Sequence, residues 1–69
     1  MSINAKRVSK NLRKMIVDSG MSAEKVAQGA GISKSQISYY LKSTRTPTIK
    51  TLEKISDFLK RDFQDFFRS

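Results

Sequence analysis

The chain has 69 residues, of which 14 are Lys or Arg and 6 are Asp or Glu, so its formal net charge is +8. It has no cysteine and no histidine, which excludes disulfides, Cys/His metal sites and the usual nucleophile and base of hydrolases. No segment has the length and composition of a transmembrane helix or a signal peptide, so we expect a cytoplasmic protein that does not contact membranes. A chain of this length is expected to form one small domain, residues 1–69.

The positive charge is concentrated in the N-terminal part of the chain. Residues 1–50 hold ten basic and two acidic side chains, whereas residues 51–69 hold four of each. A net positive charge can simply increase solubility. Its segregation into one part of the sequence instead favours a surface that binds a polyanion, with an ordinary solvated surface on the C-terminal part.

The first predicted helix runs from about Ala5 to Ser19, with Asn4 or Ser2 as its cap and Gly20 as its end. Four apolar residues form one stripe along it: Val8, Leu12, Met15 and Ile16. Basic residues crowd the rest of its surface: Lys6, Arg7, Lys10, Arg13 and Lys14. Only Asp18 opposes them, so ion pairing within the helix does not explain this excess of positive charge.

Two short helical patterns follow, separated by a single glycine turn. Ser22 is the predicted N-cap of helix 2, Gly31 ends that helix, and helix 3 spans about Ser33–Lys42 with Ser33 as its N-cap. Gly29 falls late in helix 2, and we interpret it as an early fray before the turn. Two helices joined by so short a connection must cross steeply, which is the helix-turn-helix arrangement.

Helix 3 has one apolar and one polar face. The residues predicted to lie in the core are Ile37, Tyr40 and Leu41. The opposite face carries Lys34, Ser35, Ser38, Tyr39 and Lys42. Short side chains on that face would let the helix axis approach base edges, so the face suits the major groove of duplex DNA.

The C-terminal part is expected to form a loop and two further helices. Residues 43–47 form the loop, with Thr46 as N-cap and Pro47 as the first residue of helix 4. The apolar stripe predicted for helix 4 is Ile49, Leu52, Ile55, Ser56 and Leu59, with Phe58 off its centre. A last short helix, Asp62–Phe67, begins at the N-cap Asp62 and groups Phe63, Phe66 and Phe67. Five helices and no convincing strand predict an all-α fold.

The spacing of residues from Ala23 onward matches a known pattern. With Ala23 as the first of twenty positions, Ala27 is the fifth, Gly31 the ninth and Ile37 the fifteenth. The fifth position must be small where the helices touch, the ninth turns the chain, and the fifteenth anchors the second helix in the core. Together with the motifs S-x-x-x-I-S-x-Y-L and R-x-P-T-I-x-T-L-x-x-I, this pattern resembles the DNA-binding domains of phage repressors and Cro proteins, the xenobiotic-response-element-type helix-turn-helix family.

That resemblance extends over nearly the whole chain and implies a compact five-helix repressor-like domain, with a helix-turn-helix formed by helices 2 and 3. It implies a transcriptional regulator that binds duplex DNA sequence-specifically, without catalysis, cofactor or small-molecule substrate. Helix 3 would lie in the major groove, and a weak homodimer would bind a near-palindromic operator. A phage or bacterial origin is implied in the same way, with a nucleoid-associated location.

The resemblance also implies the residues that contact DNA. Candidates for base contacts are Lys34, Ser35, Ser38 and Tyr39. Lys34 can donate to guanine, and Tyr39 can touch a thymine methyl group or donate to a phosphate. Alternatively, Lys34 and Ser35 are only solvent-exposed and Tyr39 packs along its own helix. Candidates for phosphate contacts are Ser22, Lys42, Thr44, Arg45, Thr46, Lys10, Arg13 and Lys14.

Several positions depart from the family pattern. Ala23 stands where a phosphate-binding Gln is common. Ile16 and Leu41 stand where many members have an Arg and a Glu that form an ion pair. Exchange of both partners for apolar residues can be neutral or stabilising, so we predict that Ile16 and Leu41 touch. The family favours glycine at Ser43 and Lys60, so a strained or altered turn is expected at both.

A second hypothesis is a protein-interaction module, antirepressor-like or antitoxin-like, that modulates another regulator. This hypothesis stays open because Ala23 stands in place of the common phosphate-binding Gln and because the C-terminal part of the chain is rich in aromatic residues. If exposed, Phe58, Phe63 and Phe67 would form an apolar patch for a dimer or a protein partner; otherwise Phe63 helps to close the core. An enzyme has no support, because no His, Cys or plausible carboxylate pair is present.

Overall fold

The computed structural model describes residues 4–68, and the regular secondary structure of this part of the chain is entirely helical. The elements are α1 (Ala5–Ser19), α2 (Ala23–Ala30), α3 (Lys34–Leu41), α4 (Ile49–Leu59) and a C-terminal 3₁₀ helix (Phe63–Phe67). The prediction of an all-α fold is confirmed. The count of five helices is corrected to four α-helices, because the fifth segment is a short 3₁₀ helix, a geometry typical of such brief runs. Ser2, the alternative cap of α1, lies outside the described residues.

Side-chain caps determine where most of these helices begin. Asn4 accepts two backbone N–H groups of α1 at 3.0 and 3.1 Å, and Ser22 accepts one from α2 at 3.1 Å. Ser33 and Gln36 form a reciprocal capping box at the start of α3, with bonds of 3.0 and 2.9 Å. Asp62 accepts one N–H of the 3₁₀ helix at 2.8 Å. The predicted caps of these four elements are therefore confirmed.

Helix α4 begins two residues later than predicted. Its N-cap is Thr48, whose hydroxyl oxygen accepts the amide of Thr51 at 3.2 Å. The prediction of Thr46 as N-cap and Pro47 as first helical residue is wrong. The Pro47 side chain is buried in the loop, and the chain stays non-helical until the Thr48 hydroxyl caps the first free amides.

Residues in the left-handed region end the helices. Gly20 and Gly31 have φ of 73° and 76°, and Ser43 and Lys60 have φ of 61° and 55°. A side chain in this conformation costs about 1–2 kcal/mol. In the turns at Ser43 and Lys60, the next amide donates to a carbonyl five residues earlier, at 3.0 and 2.9 Å, which partly offsets that cost. The altered turns expected at these two positions are confirmed.

The core lies between the four α-helices and is closed by the 3₁₀ helix. Its buried apolar residues are Val8, Leu12, Met15, Ile16, Val26, Ala27, Ala30, Ile37, Tyr40, Leu52, Ile55 and Phe66. The predicted stripe of α1 is confirmed. Ile49 is 47% exposed, so its assignment to the buried stripe of α4 is wrong, because it lies in the first turn at the edge of the core. Leu41 is half-buried against the cluster that contains Ile16, and direct contact between these two residues stays a prediction.

Gly29 lies within regular helix, since α2 continues to Ala30, so its interpretation as a fray is wrong. The ring of Phe58, on α4, packs directly over it. A β-carbon added at Gly29 would lie only 2.1–2.5 Å from three ring carbons of Phe58. Glycine therefore permits the close approach of α2 and α4. The same contact helps to make Phe58 half-buried.

Replacing Gly29 by alanine should destabilise the protein, although this change usually stabilises a helix. The added methyl group would overlap the Phe58 ring, and overpacking of this kind costs about 1–3 kcal/mol. Urea denaturation of Gly29→Ala, Phe58→Leu and the double variant would measure this cost. It should largely disappear in the Phe58→Leu background. An equal cost in both backgrounds would show that Phe58 is not the cause.

Hydrogen bonds attach the 3₁₀ helix to α1 and also link Asp65, within the 3₁₀ helix, to an arginine on either side of that helix. Asn11 donates from Nδ2 to the carbonyl oxygens of Phe66 and Arg68, both at 2.7 Å. The Asp65 carboxylate accepts from Nε of Arg68 at 2.6 Å and from Nε of Arg61 at 3.0 Å. These hydrogen bonds, that of Arg68 first, hold the pKa of Asp65 below its ordinary value of 3.8.

The lowered pKa of Asp65 predicts a loss of stability in acid. A carboxyl group whose pKa is lower in the folded state than in the unfolded state stabilises the fold at every pH above the unfolded-state pKa. This stabilisation disappears as the pH falls through the folded-state pKa. The wild-type protein should therefore lose this contribution below about pH 4, and Asp65→Asn should lack it throughout. Thermal unfolding across this range would compare both with Asp57→Asn, an exposed substitution on α4. Parallel pH profiles for wild type and Asp65→Asn would contradict the prediction.

Candidate nucleic-acid interface

Helices α2 and α3 pack against each other and are connected by three residues, 31–33. Ala27 and Ile37 are each 1% exposed, so both lie in the core as their spacing predicted. Gly31 reverses the chain at a φ of 76°, and the amide of Ile32 closes the turn on the carbonyl of Ala27 at 3.0 Å. The inward face of α3 is thereby fixed, which determines the side chains that point outward.

The outward face of α3 brings the predicted base-contact residues together. One shallow depression is lined by Lys34, Ser35, Ser38, Tyr39 and Lys42. Lys34, Ser35 and Lys42 are exposed, Tyr39 is 38% exposed, and Ser38 is half-buried. The grouping expected from helical periodicity is therefore present, with two ammonium groups, three hydroxyl groups and one aromatic ring on a single surface.

Tyr39 is joined to the loop that follows α3. The guanidinium carbon of Arg45 lies 4.6 Å from the centroid of the Tyr39 ring, which is cation–π geometry. Thr44 donates both its amide, at 3.0 Å, and its hydroxyl, at 3.1 Å, to the carbonyl oxygen of Tyr39. One face of the Tyr39 ring is thus covered by Arg45, and Thr44 holds the loop in place. Neither interaction was predicted from the sequence.

Lys34 forms an ion pair that links the first turns of α2 and α3. Its Nζ lies 3.5 Å from Oε2 of Glu24, and the two side chains are 75% and 68% exposed. An exposed pair of this kind adds little stability. This ion pair could not be predicted from the sequence, because ten positions separate the two residues and their distance depends on how the helices cross.

The remaining phosphate candidates lie on α1, at the start of α2 and in the loop after α3. The hydroxyl oxygen of Ser22 accepts the hydrogen bond that caps α2, so the hydroxyl group can still donate its hydrogen to a further acceptor. Arg13 borders a second groove, together with Lys34, Ser38 and Lys42. Other exposed candidates are Lys10, Lys14 and Thr46. The groove beside α3 itself carries three cationic side chains, those of Arg13, Lys34 and Lys42, and the carboxylate of Glu24.

A helix-turn-helix family model matches residues 10–66, which is more than half of the chain. The chain belongs to the Cro/repressor-type helix-turn-helix family. Membership assigns it to a class of DNA-binding transcription regulators. No curated protein and no solved structure matches it significantly. Across residues 4–68, the helices are too short or too polar to cross a membrane.

Two polar side chains of α1 hold the C-terminal end of α3 in this helix-turn-helix protein. The carbonyl oxygen of Leu41 accepts from Oγ of Ser9 at 2.7 Å and from Nη2 of Arg13 at 2.8 Å. Ser9 is 5% exposed, so this bond lies at the edge of the core. Helix α1 is therefore joined to the C-terminal end of α3 through a backbone carbonyl. This link could not be predicted from the sequence, since every residue has a backbone carbonyl and nothing in the sequence shows which one accepts a side-chain hydrogen bond.

The aromatic residues near the C-terminus pack mostly on the core of the helix-turn-helix protein. Phe66 is 0% exposed, whereas Phe63 and Phe67 are half-buried. The Phe63 ring makes edge contacts to Phe66 and Phe67, with centroid distances of 6.2 and 5.4 Å. Phe58, Phe63 and Phe67 thus keep only part of their surface accessible, and their use as a partner surface stays a prediction.

Proposed function

We propose that this chain is a sequence-specific regulator in which α2 and α3 form the helix-turn-helix and α3 enters the major groove of operator DNA. The observation that carries the proposal is the single outward face shared by Lys34, Ser35, Ser38 and Tyr39. Ile37 and Tyr40, at 1% and 7% exposure, anchor the opposite face in the core. A helix anchored in this way cannot rotate, so it presents the same side chains to every duplex.

Each residue of this outward face has a distinct part in base recognition. Lys34, in the first turn of α3, donates to O6 or N7 of guanine. Ser35 and Ser38 offer hydroxyl groups that donate or accept and therefore discriminate weakly between bases. Tyr39 keeps its hydroxyl group and one ring face for a phosphate or a thymine methyl group, since Arg45 covers the other face.

Phosphate contacts fix the register of α3 on the duplex. Arg45 and Lys42 supply charge after α3, and Arg13 supplies charge from α1. The Ser22 hydroxyl and the amides at the start of α2 provide an uncharged contact. The hydroxyl group of Thr44 already donates to Tyr39, so its part is to position Arg45. The other members of this set are Lys10 and Thr46.

One α3 helix covers only a few base pairs, so a second copy is needed for a longer site. We infer a weak homodimer on a near-palindromic operator, with residues 1–69 acting as one domain and one half-site bound by each protomer. The accessible parts of Phe58, Phe63 and Phe67 contribute apolar area to this interface. The protein acts in the cytoplasm, at the nucleoid, without catalysis or a cofactor.

Selection of binding sites from random duplexes, followed by a salt titration, tests the proposed function. We expect a defined, near-palindromic sequence whose affinity falls steeply with salt concentration, because bound phosphates release counterions. Only weak binding that ignores sequence would overturn the proposal. It would favour the second candidate, an antirepressor-like or antitoxin-like module, which the loss of the phosphate-binding Gln at Ala23 and the half-buried C-terminal aromatics support.

A further inference from the structure

Glu24 is an acidic residue on an otherwise basic surface. It lines the groove beside α3 together with Arg13, Lys34 and Lys42, and it also borders the neighbouring groove with Gln28. No other acidic residue occurs between positions 19 and 52 of the sequence. A carboxylate at this place repels the phosphates that the surrounding cations attract.

The helix dipole explains only part of this placement. An acidic residue in the first turn of α2 stabilises the helix, and any exposed position in that turn would give the same benefit. The Glu24 carboxylate lies 3.5 Å from the Lys34 ammonium on the next helix. Because both side chains are exposed, the pair contributes little to folding. Its position on the DNA-facing surface therefore calls for a reason connected with binding.

We propose that Glu24 is a specificity-determining residue that acts through Lys34, an inference that rests on the proposed function. Lysine has a flexible stem, and an unpaired Lys34 would move to the nearest phosphate, a contact without sequence information. Paired with Glu24 at 3.5 Å, its ammonium is held beside the start of α3, where its donors can reach guanine O6 or N7. Glu24 is thus a positioning residue that weakens non-specific binding more than operator binding.

Replacing Glu24 by glutamine in the full chain tests this inference. Binding to the selected operator and to a random-sequence duplex would be measured over a range of salt concentrations. The ratio of operator affinity to random-duplex affinity should fall on the order of threefold, the scale of an exposed ion pair. The salt slope for the random duplex should steepen by roughly 0.9, as Lys34 gains a phosphate contact. Loss of the carboxylate at the start of α2 should lower the thermal unfolding midpoint by only a few degrees, so the variant stays folded at the temperature of the binding assay. A change in the affinity ratio at that temperature therefore reflects positioning and not unfolding.

Two further variants show whether Glu24 acts through Lys34. In a Lys34→Met background, Glu24→Gln should change neither the affinity ratio nor the salt slope. If the changes persist there, Glu24 acts as a diffuse negative charge and the inference is overturned. Glu53→Gln alters the net charge equally on α4, which packs against α2 and the 3₁₀ helix, and it should leave the affinity ratio unchanged. Equal effects of Glu53→Gln and Glu24→Gln would also overturn it.

Failure of this inference is distinguishable from failure of the proposed function. If the wild-type protein prefers its operator and Glu24→Gln has the same affinity ratio and salt slope, only the role of Glu24 is refuted. If the wild-type protein has no sequence preference, the proposed function fails, and the role of Glu24 fails with it.

Discussion

Replacing Phe66 by alanine should leave the protein largely unfolded at room temperature. Phe66 is 0% exposed and is the largest fully buried side chain of the described residues. Truncating a buried Phe to Ala costs about 3–5 kcal/mol, through lost burial and the cavity left behind. A single core of this size supplies only about 3–5 kcal/mol in total. The loss is therefore comparable to the whole stability of the fold.

Far-ultraviolet circular dichroism during urea titration would measure this effect. Phe67→Ala is the matched control, since it makes the same change at the neighbouring, half-buried position of the same 3₁₀ helix. Phe67→Ala should stay folded with a lower midpoint, whereas Phe66→Ala should show little helix even without urea. A cooperative transition of Phe66→Ala near the wild-type midpoint would refute the view that the 3₁₀ helix closes the core.

Lys34→Ala should relax sequence specificity at the base pair that Lys34 recognises. A good contact to a base edge gives about 1–3 kcal/mol of discrimination, so operator affinity should fall roughly 5- to 150-fold. Arg45→Ala should instead weaken binding to all duplexes alike and reduce the salt slope by about one, as expected for a phosphate contact. The two variants carry the same charge change, so their different patterns separate base recognition from electrostatic attraction.

Repeating the site selection with Lys34→Ala would test this assignment. The selected sequence should lose its preference at one position in each half-site, while the remaining positions stay unchanged. Lys54→Ala, an exposed substitution of the same charge on α4, should return the wild-type sequence. An unchanged selected sequence for Lys34→Ala would remove Lys34 from the residues that contact bases.

The starts of most helices could be predicted, because the signals are local. Asn4, Ser22, Ser33 and Asp62 cap amides only two or three residues away. The start of α4 could not, since two threonines flank Pro47 and both have capping side chains. Which of them caps depends on the burial of the Pro47 ring, a tertiary effect that the sequence does not display.

Contacts between distant segments were less predictable. The approach of Phe58 to Gly29 depends on how α2 and α4 pack, so local helix propensity gave the wrong interpretation of the glycine. The outward face of α3 could be predicted, because burial of Ile37 and helical periodicity together fix the side chains that point outward. The links within that face, such as Glu24 to Lys34, depend on the crossing of α2 and α3 and were missed.

Amide chemical shifts of the isotopically labelled protein, recorded while it is titrated with its selected duplex, would show which surface of the protein contacts DNA. The largest shift changes should occur along the outward face of α3, in residues 43–46 and at the start of α2. Shift changes confined to α4 and the 3₁₀ helix, or absent altogether at saturating duplex, would contradict the assignment of α3 as the helix that enters the major groove.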